Sequence, residues 1–151
     1  MSIEDKVFDQ YKICIEMADK ISQRRVDNNK FFLAINSSLI TITGVVFSLT
    51  EENWSVMYFT ILIALIGFIL SYTWYRLIKS YRQLNTAKFK VIGELEKALP
   101  KSPFFEMEWK MLGEGKDKKL YTPFSGLEQN VPILFGIVYI ILPLFYFISR
   151  H

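Results

Sequence analysis

Three long runs without a charged residue interrupt a chain that is otherwise densely charged. They are residues 31–49, "FFLAINSSLITITGVVFSL", residues 53–75, "NWSVMYFTILIALIGFILSYTWY", and the stretch from Val131 to Ser149. At 1.5 Å rise per residue such runs make about 28 to 35 Å of helix, which matches a hydrocarbon core of about 30 Å. A soluble helix of this length carries a charged face, and none of the three does. The pattern predicts an all-α integral membrane protein with three transmembrane helices, at 31–49, 56–78 and 131–149.

The charged segments are periodic as well. Before the first span, Val7, Tyr11, Cys14, Ala18 and Ile21 recur at threes and fours among Asp, Glu, Lys and Arg, which predicts an amphipathic helix over 1–30. Asp27, Asn28 and Asn29 mark a kink or a cap where it meets the membrane. Beyond the second span the apolar rhythm does not stop: Leu77, Tyr81, Leu84, Lys88, Val91, Leu95 and Ala98 step by four and three, a heptad seam. The second helix therefore continues as a charged rod to about residue 98, where Pro100 and Pro103 end it. Its seam needs a partner, either the N-terminal helix in an antiparallel hairpin or another subunit. "PFFEMEWKML" predicts a short amphipathic helix capped by Ser102 and ended by Gly113, "GEGKDKK" a polar turn, and "YTPFSGLEQNVP" the approach to the third span. Pro132 fits a first turn, whereas Pro143 should kink the helix interior.

Charge sets an orientation. Six basic residues precede the first span and eleven lie between Arg76 and Lys119, whereas "TEENWS" has none and the tail has only Arg150. The positive-inside rule places 1–30 and 79–130 in the cytoplasm, and the loop 50–55 and the tail 150–151 outside. This corresponds to a bacterial inner membrane with its N-terminus cytoplasmic and its C-terminus external. Trp54, and Trp74 with Tyr75, suit an aromatic belt at the two interfaces. Arg76, Lys79 and Arg82 crowd the inner surface, where membrane lipids with anionic headgroups would attract them. Seven acidic residues are interleaved with the eleven basic ones over 76–130, so no nucleic-acid partner is expected. The chain opens without the apolar core of a cleavable signal peptide, so the first span is expected to be retained. One cysteine, Cys14, allows no intramolecular disulfide.

The chemistry of catalysis is missing from the pattern. The only histidine is the terminal His151, and there is no Cys/His cluster for a metal and no phosphate-cradling glycine loop. No enzyme, cofactor or metal is expected. Glu94, Glu96, Glu106 and Glu108 suggest a solvated face or ion pairs with Lys90, Lys97 and Lys110. Within the first span Ser37, Thr41, Gly44 and Ser48 step by four, three and four, with Asn36 and Thr43 on a flank. Small and hydroxylated residues suit close helix packing; the same stripe would suit a water-filled path between subunits. Asn36 discriminates, because an amide in hydrocarbon needs a partner or water. The first span is the candidate axis-facing helix and the third the lipid-facing one.

"YKICIEMADKISQRRVDNNKFFLAINSSL", "SYRQLNTAKFKVIGELEKALPKSPFFEMEWKML" and "GKDKKLYTPFSGLEQNVP" together resemble the RipA-type bacterial octameric membrane protein family. The most specific positions are Tyr81, Arg82, Leu84, Asn85, Lys88 and Phe89, then Pro100 and Trp109. The resemblance implies a homo-octamer of the inner membrane, associated with phage defence through a membrane effector, and carries no catalytic residue. The function expected is a pore-forming or membrane-perturbing effector with itself as chief partner and a phage or host protein as a further candidate at the cytoplasmic helices. The alternative is a membrane-anchored scaffold or regulatory subunit that recruits a cytoplasmic partner; a holin-like lysis protein is a third option, disfavoured by the length of the rod.

Overall fold

A computed structural model describes residues 3–50, 54–99, 104–115 and 124–149, and all of its regular structure is helical. In chain order the helices are α1 (Ile3–Leu49), α2 (Trp54–Lys97), α3 (Phe104–Met111), α4 (Phe124–Glu128) and α5 (Asn130–Ser149), with a 3-10 turn at Gly113–Gly115. The all-α class and the three helices long and apolar enough to cross a membrane agree with the hydropathy pattern.

Two expectations are overturned here. The Asp27-Asn28-Asn29 triplet neither ends nor caps a helix, since α1 runs through it as one helix of 47 residues. Its amides find partners that a sequence does not display: Asn29 Oδ1 accepts from the indole Nε1 of Trp74 at 2.8 Å. That bond also removes Trp74 from the interfacial belt. Its ring is 3% exposed and stacks on Phe32 at 5.8 Å between centroids. Trp54, by contrast, is exposed.

The expected continuation of the second span is present, since α2 is one helix of 44 residues. Its last turn tightens into i→i+3 bonds, Ala98 N–H to Leu95 O and Leu99 N–H to Glu96 O. The stop of α3 is also as expected: Gly113 adopts φ 66°, a left-handed conformation natural to glycine after a helix. Pro132 lies in the first turn of α5, and Pro143 is accommodated inside a helix that is not divided there. The cap at Ser102, the prolines at 100, 103 and 123, most of the loop after α1 and the tail after Ser149 lie outside the described residues.

The chain divides into two compact units. The charged unit comprises residues 1–26 and 79–127; the apolar unit comprises 27–78 and 128–151. In the apolar unit, α2 turns Val56, Thr60, Ala64, Gly67, Ser71, Trp74 and Ile78 inward, at steps of four and three that keep them on one face. Most are small, so neighbouring helices approach closely. Phe32, Trp74 and Ile78 form the buried centre of a cluster that Leu70, Leu77, Val131 and Phe135 complete. In the charged unit Ala18, Ile21 and Ile92 are the buried apolar residues among those described, and the early part of α1 lies against the later part of α2.

Candidate functional site

Inside the apolar unit, a polar network ties three helices together. Asn36, 0% exposed, donates through Nδ2 to the carbonyl of Phe32 one turn earlier at 2.8 Å. Its Oδ1 accepts from the Ser71 hydroxyl at 3.2 Å, and its backbone carbonyl accepts from the Tyr139 hydroxyl at 3.2 Å. Side chains from α1, α2 and α5 thus meet at one residue. Each buried polar group has a partner, which a low-dielectric interior demands. Thr43 and Thr60, equally buried, donate to the carbonyls of Leu39 and Val56 in their own helices.

Gly67 makes this arrangement possible. The Tyr139 ring lies against its Cα so closely that a methyl group built there would overlap the ring carbons. The absence of a side chain lets the tyrosine cross α2 and reach the Asn36 carbonyl.

The stripe on the first span stays on one exposed face, and its flank turns inward. Asn36 and Thr43 point into the helix packing, whereas Ser37, Thr41, Gly44 and Ser48 are all exposed. Thr41 donates to Ser37 O at 2.9 Å and Ser48 to Val45 O at 2.9 Å. The hydroxyl protons are thereby taken by the helix, and the oxygen lone pairs remain outward. Gly44 has open space beside it.

In the charged unit the line of α2 that faces the early part of α1 keeps Tyr81, Lys88 and Leu95 of the predicted seam and takes Asn85 and Ile92 in place of Leu84 and Val91. Buried or half-buried are Tyr81, Asn85, Lys88, Ile92, Leu95 and Glu96, while Leu84 and Val91 are exposed. Leu77, in the apolar unit, is half-buried. Asn85 Nδ2 donates to Ser22 Oγ at 3.4 Å, and Asn85 Oδ1 is buried without a protein partner. Asn85 on the packing line carries no hydrophobic signal whereas Leu84 beside it does, and Val91 and Ile92 are both apolar, so period alone does not choose between them.

Glu96 departs from the expected solvated face. It is 3% exposed; one carboxylate oxygen accepts from the Tyr11 hydroxyl at 2.9 Å. Both oxygens accept from the backbone N–H of Phe105, at 3.2 and 3.1 Å. A carboxylate at the start of α3 satisfies one of its free N–H groups and complements the positive end of the helix. Burial, and next the bond to Glu96 and its charge, push the Tyr11 hydroxyl up to about 12. The other acids behave as expected: Glu94 pairs with Lys97 and Glu106 with Lys110, both at 2.8 Å. The hydrogen bond to Lys110 holds Glu106 below its ordinary range, and Lys97 and Lys110 are correspondingly raised.

Of the candidate lipid-contact residues, Arg76, Lys79 and Arg82 are all exposed. Arg76 donates to the Tyr72 hydroxyl at 3.2 Å. No group of three or more His, Cys, Asp or Glu side chains that could hold a metal occurs among the described residues. A family model described as "Octameric membrane protein family (8xMP)" matches residues 8–148. No curated protein and no solved structure matches.

Proposed function

Because the chain belongs to the octameric membrane protein family, a family of membrane proteins that assemble from copies of themselves, we propose that it is a bacterial inner-membrane effector that permeabilises the bilayer in antiphage defence. The N-terminus and residues 79–130 are cytoplasmic in this reading, as the distribution of Lys and Arg requires. The observation that carries it is the exposure of Ser37, Thr41, Gly44 and Ser48 along one line of α1. Hydrocarbon gives such a line no stabilisation, whereas neighbouring copies or water do. Set around an axis, it presents small side chains and outward oxygen lone pairs, the lining that water or a cation accepts. α5, with aliphatic and aromatic side chains over most of its surface, suits the lipid side. The defence role rests on the motif residues around Tyr81, Asn85 and Lys88.

The test is a membrane-potential dye in cells that express the protein and are then infected. Depolarisation that is lost in Thr41→Leu with Ser48→Leu supports permeabilisation. An unchanged potential after infection, or killing unaffected by the double substitution, contradicts it.

A second reading has its own support. α3 turns Phe104, Met107 and Met111 outward at three- and four-residue steps, 70%, 48% and 72% exposed. A Met-rich apolar face suits adaptable recognition of a protein partner, the role of a membrane-anchored scaffold. That reading expects Phe104→Ser with Met111→Ser to abolish protection while Thr41→Leu with Ser48→Leu leaves it intact.

A further inference from the structure

Where the uncharged run of α2 ends, two cations share one open column with a tyrosine. From Arg76 to Lys90 the helix carries Arg76, Lys79, Arg82, Lys88 and Lys90, and its first acidic residue is Glu94. At 100° per residue, Leu65, Tyr72, Arg76 and Lys79 fall within about 60° of one another, whereas Arg82 falls about 120° from Arg76. All four residues of the column are exposed. Along one face of the helix the side chains thus pass from aliphatic through aromatic to cationic.

The direction of Arg76 matters most. A cation at the end of a span ordinarily extends away from hydrocarbon into water. Arg76 instead folds back toward the uncharged run: its guanidinium donates to the Tyr72 hydroxyl at 3.2 Å and stands 6.0 Å from the centre of that ring. This takes one of five N–H donors and leaves the others open. Lys79, three residues on, has neither a carboxylate nor a hydrogen-bond partner among the described residues. Asp27 of α1 is taken by Lys30 at 3.9 Å. Two neighbouring cations at the edge of hydrocarbon, with no carboxylate of the described chain on either, call for an anion from outside the chain.

We propose that Tyr72, Arg76 and Lys79 form a site for the phosphate of an anionic membrane lipid, with the acyl chains along Leu65 and Phe68, which are 59% and 44% exposed. By family and by its three apolar helices the chain is a membrane protein, so lipid is the phosphate that this face meets. The planar fork of an arginine takes two phosphate oxygens, and a lysine adds a point charge. Of the three clustered cations Arg82 is left out, and Tyr72 enters as the group that positions Arg76 without bringing charge of its own. The inference is independent of the permeabilising activity and of which leaflet this end of α2 meets.

The experiment reconstitutes the full chain in nanodiscs of phosphatidylcholine with a minor share of phosphatidylglycerol and counts the retained molecules of each lipid by native mass spectrometry. The native chain is expected to retain phosphatidylglycerol preferentially. Arg76→Gln with Lys79→Gln lowers that preference at least about fivefold, the factor for one basic residue at an anionic surface. Tyr72→Leu lowers it with no change of charge, whereas Arg82→Gln with Lys90→Gln removes the same charge and leaves it largely intact. All these positions are exposed, so the melting temperature in pure phosphatidylcholine is expected to stay the same. Equal losses in the two charge-removing pairs would mean diffuse attraction and overturn the site. An absent preference in the native chain, the result if a carboxylate of a neighbouring copy covers the column, overturns it too. A melting-temperature gain from inorganic phosphate in phosphatidylcholine discs as large as that from phosphatidylglycerol overturns lipid as the occupant.

Discussion

Tyr139 occupies the space beside Gly67 that any other residue would need for its Cβ, and from there its hydroxyl reaches the Asn36 carbonyl. Gly67→Ala therefore displaces the ring and breaks the hydrogen bond between α5 and α1. The expected outcome is a clear loss of thermal stability in detergent, larger than that of Tyr139→Phe, which loses only a bond worth about 0.6 to 2 kcal/mol. Gly67→Ala made in a Tyr139→Ala background should cost less than in the native chain. Equal costs in the two backgrounds would show that the ring and the glycine are not coupled.

Asn36 and Ser71 form a matched buried pair. Ser71→Ala leaves Asn36 Oδ1 without its donor inside a dry interior, and an unpaired buried group costs more than the bond contributed. Removing both partners, Asn36→Leu with Ser71→Ala, is expected to cost less than the sum of the single substitutions. Thermal unfolding of the four proteins in one detergent measures this coupling, and additive costs would contradict the pairing.

Glu96 holds the start of α3 through the Phe105 N–H. Glu96→Ala is expected to raise amide hydrogen exchange over 104–112 at least several-fold, while Glu94→Ala, whose carboxylate lies on an exposed pair with Lys97, leaves that segment unchanged. Similar exchange in the two variants would remove Glu96 from this role.

Tyr11 gives the charged unit a distinct response to alkali. Burial first, then the bond to Glu96 and its charge, raise its pKa from an ordinary 10 to about 12. A raised folded-state value means that the contribution to stability is fully present below pH 10 and is lost as pH rises toward 12. Hydrogen exchange of residues 11–18 and 92–99, followed across that window, should accelerate in the native chain by more than in Tyr11→Phe. The same acceleration in both proteins would assign the effect to other groups.

The fold was legible where hydropathy and periodicity carry the signal. The three spans, the run of α2 to Lys97 and the stop of α3 at Gly113 all follow from residues whose chemistry is local. What stayed hidden depends on partners distant in sequence. Asn29 looks like a helix breaker until Trp74 is seen to donate to it. Glu96 is indistinguishable from Glu94 until Tyr11 and the Phe105 N–H are brought to it. The stripe on the first span shows the same limit. Ser37, Thr41, Gly44, Ser48 and Asn36 were all recognisable as intramembrane small or polar groups, but only packing reveals that Asn36 turns inward. Tyr139 and Gly67 gave no signal of their own beyond a tyrosine in one apolar helix and a glycine in another.

By family and by its three apolar helices this chain is a membrane-embedded assembly of identical copies. Mass measurement of the full chain in detergent or lipid nanodiscs tests it most directly. The expected protein mass is eight times 17.7 kDa, recovered only from the membrane fraction. A water-soluble species of 17.7 kDa would contradict it.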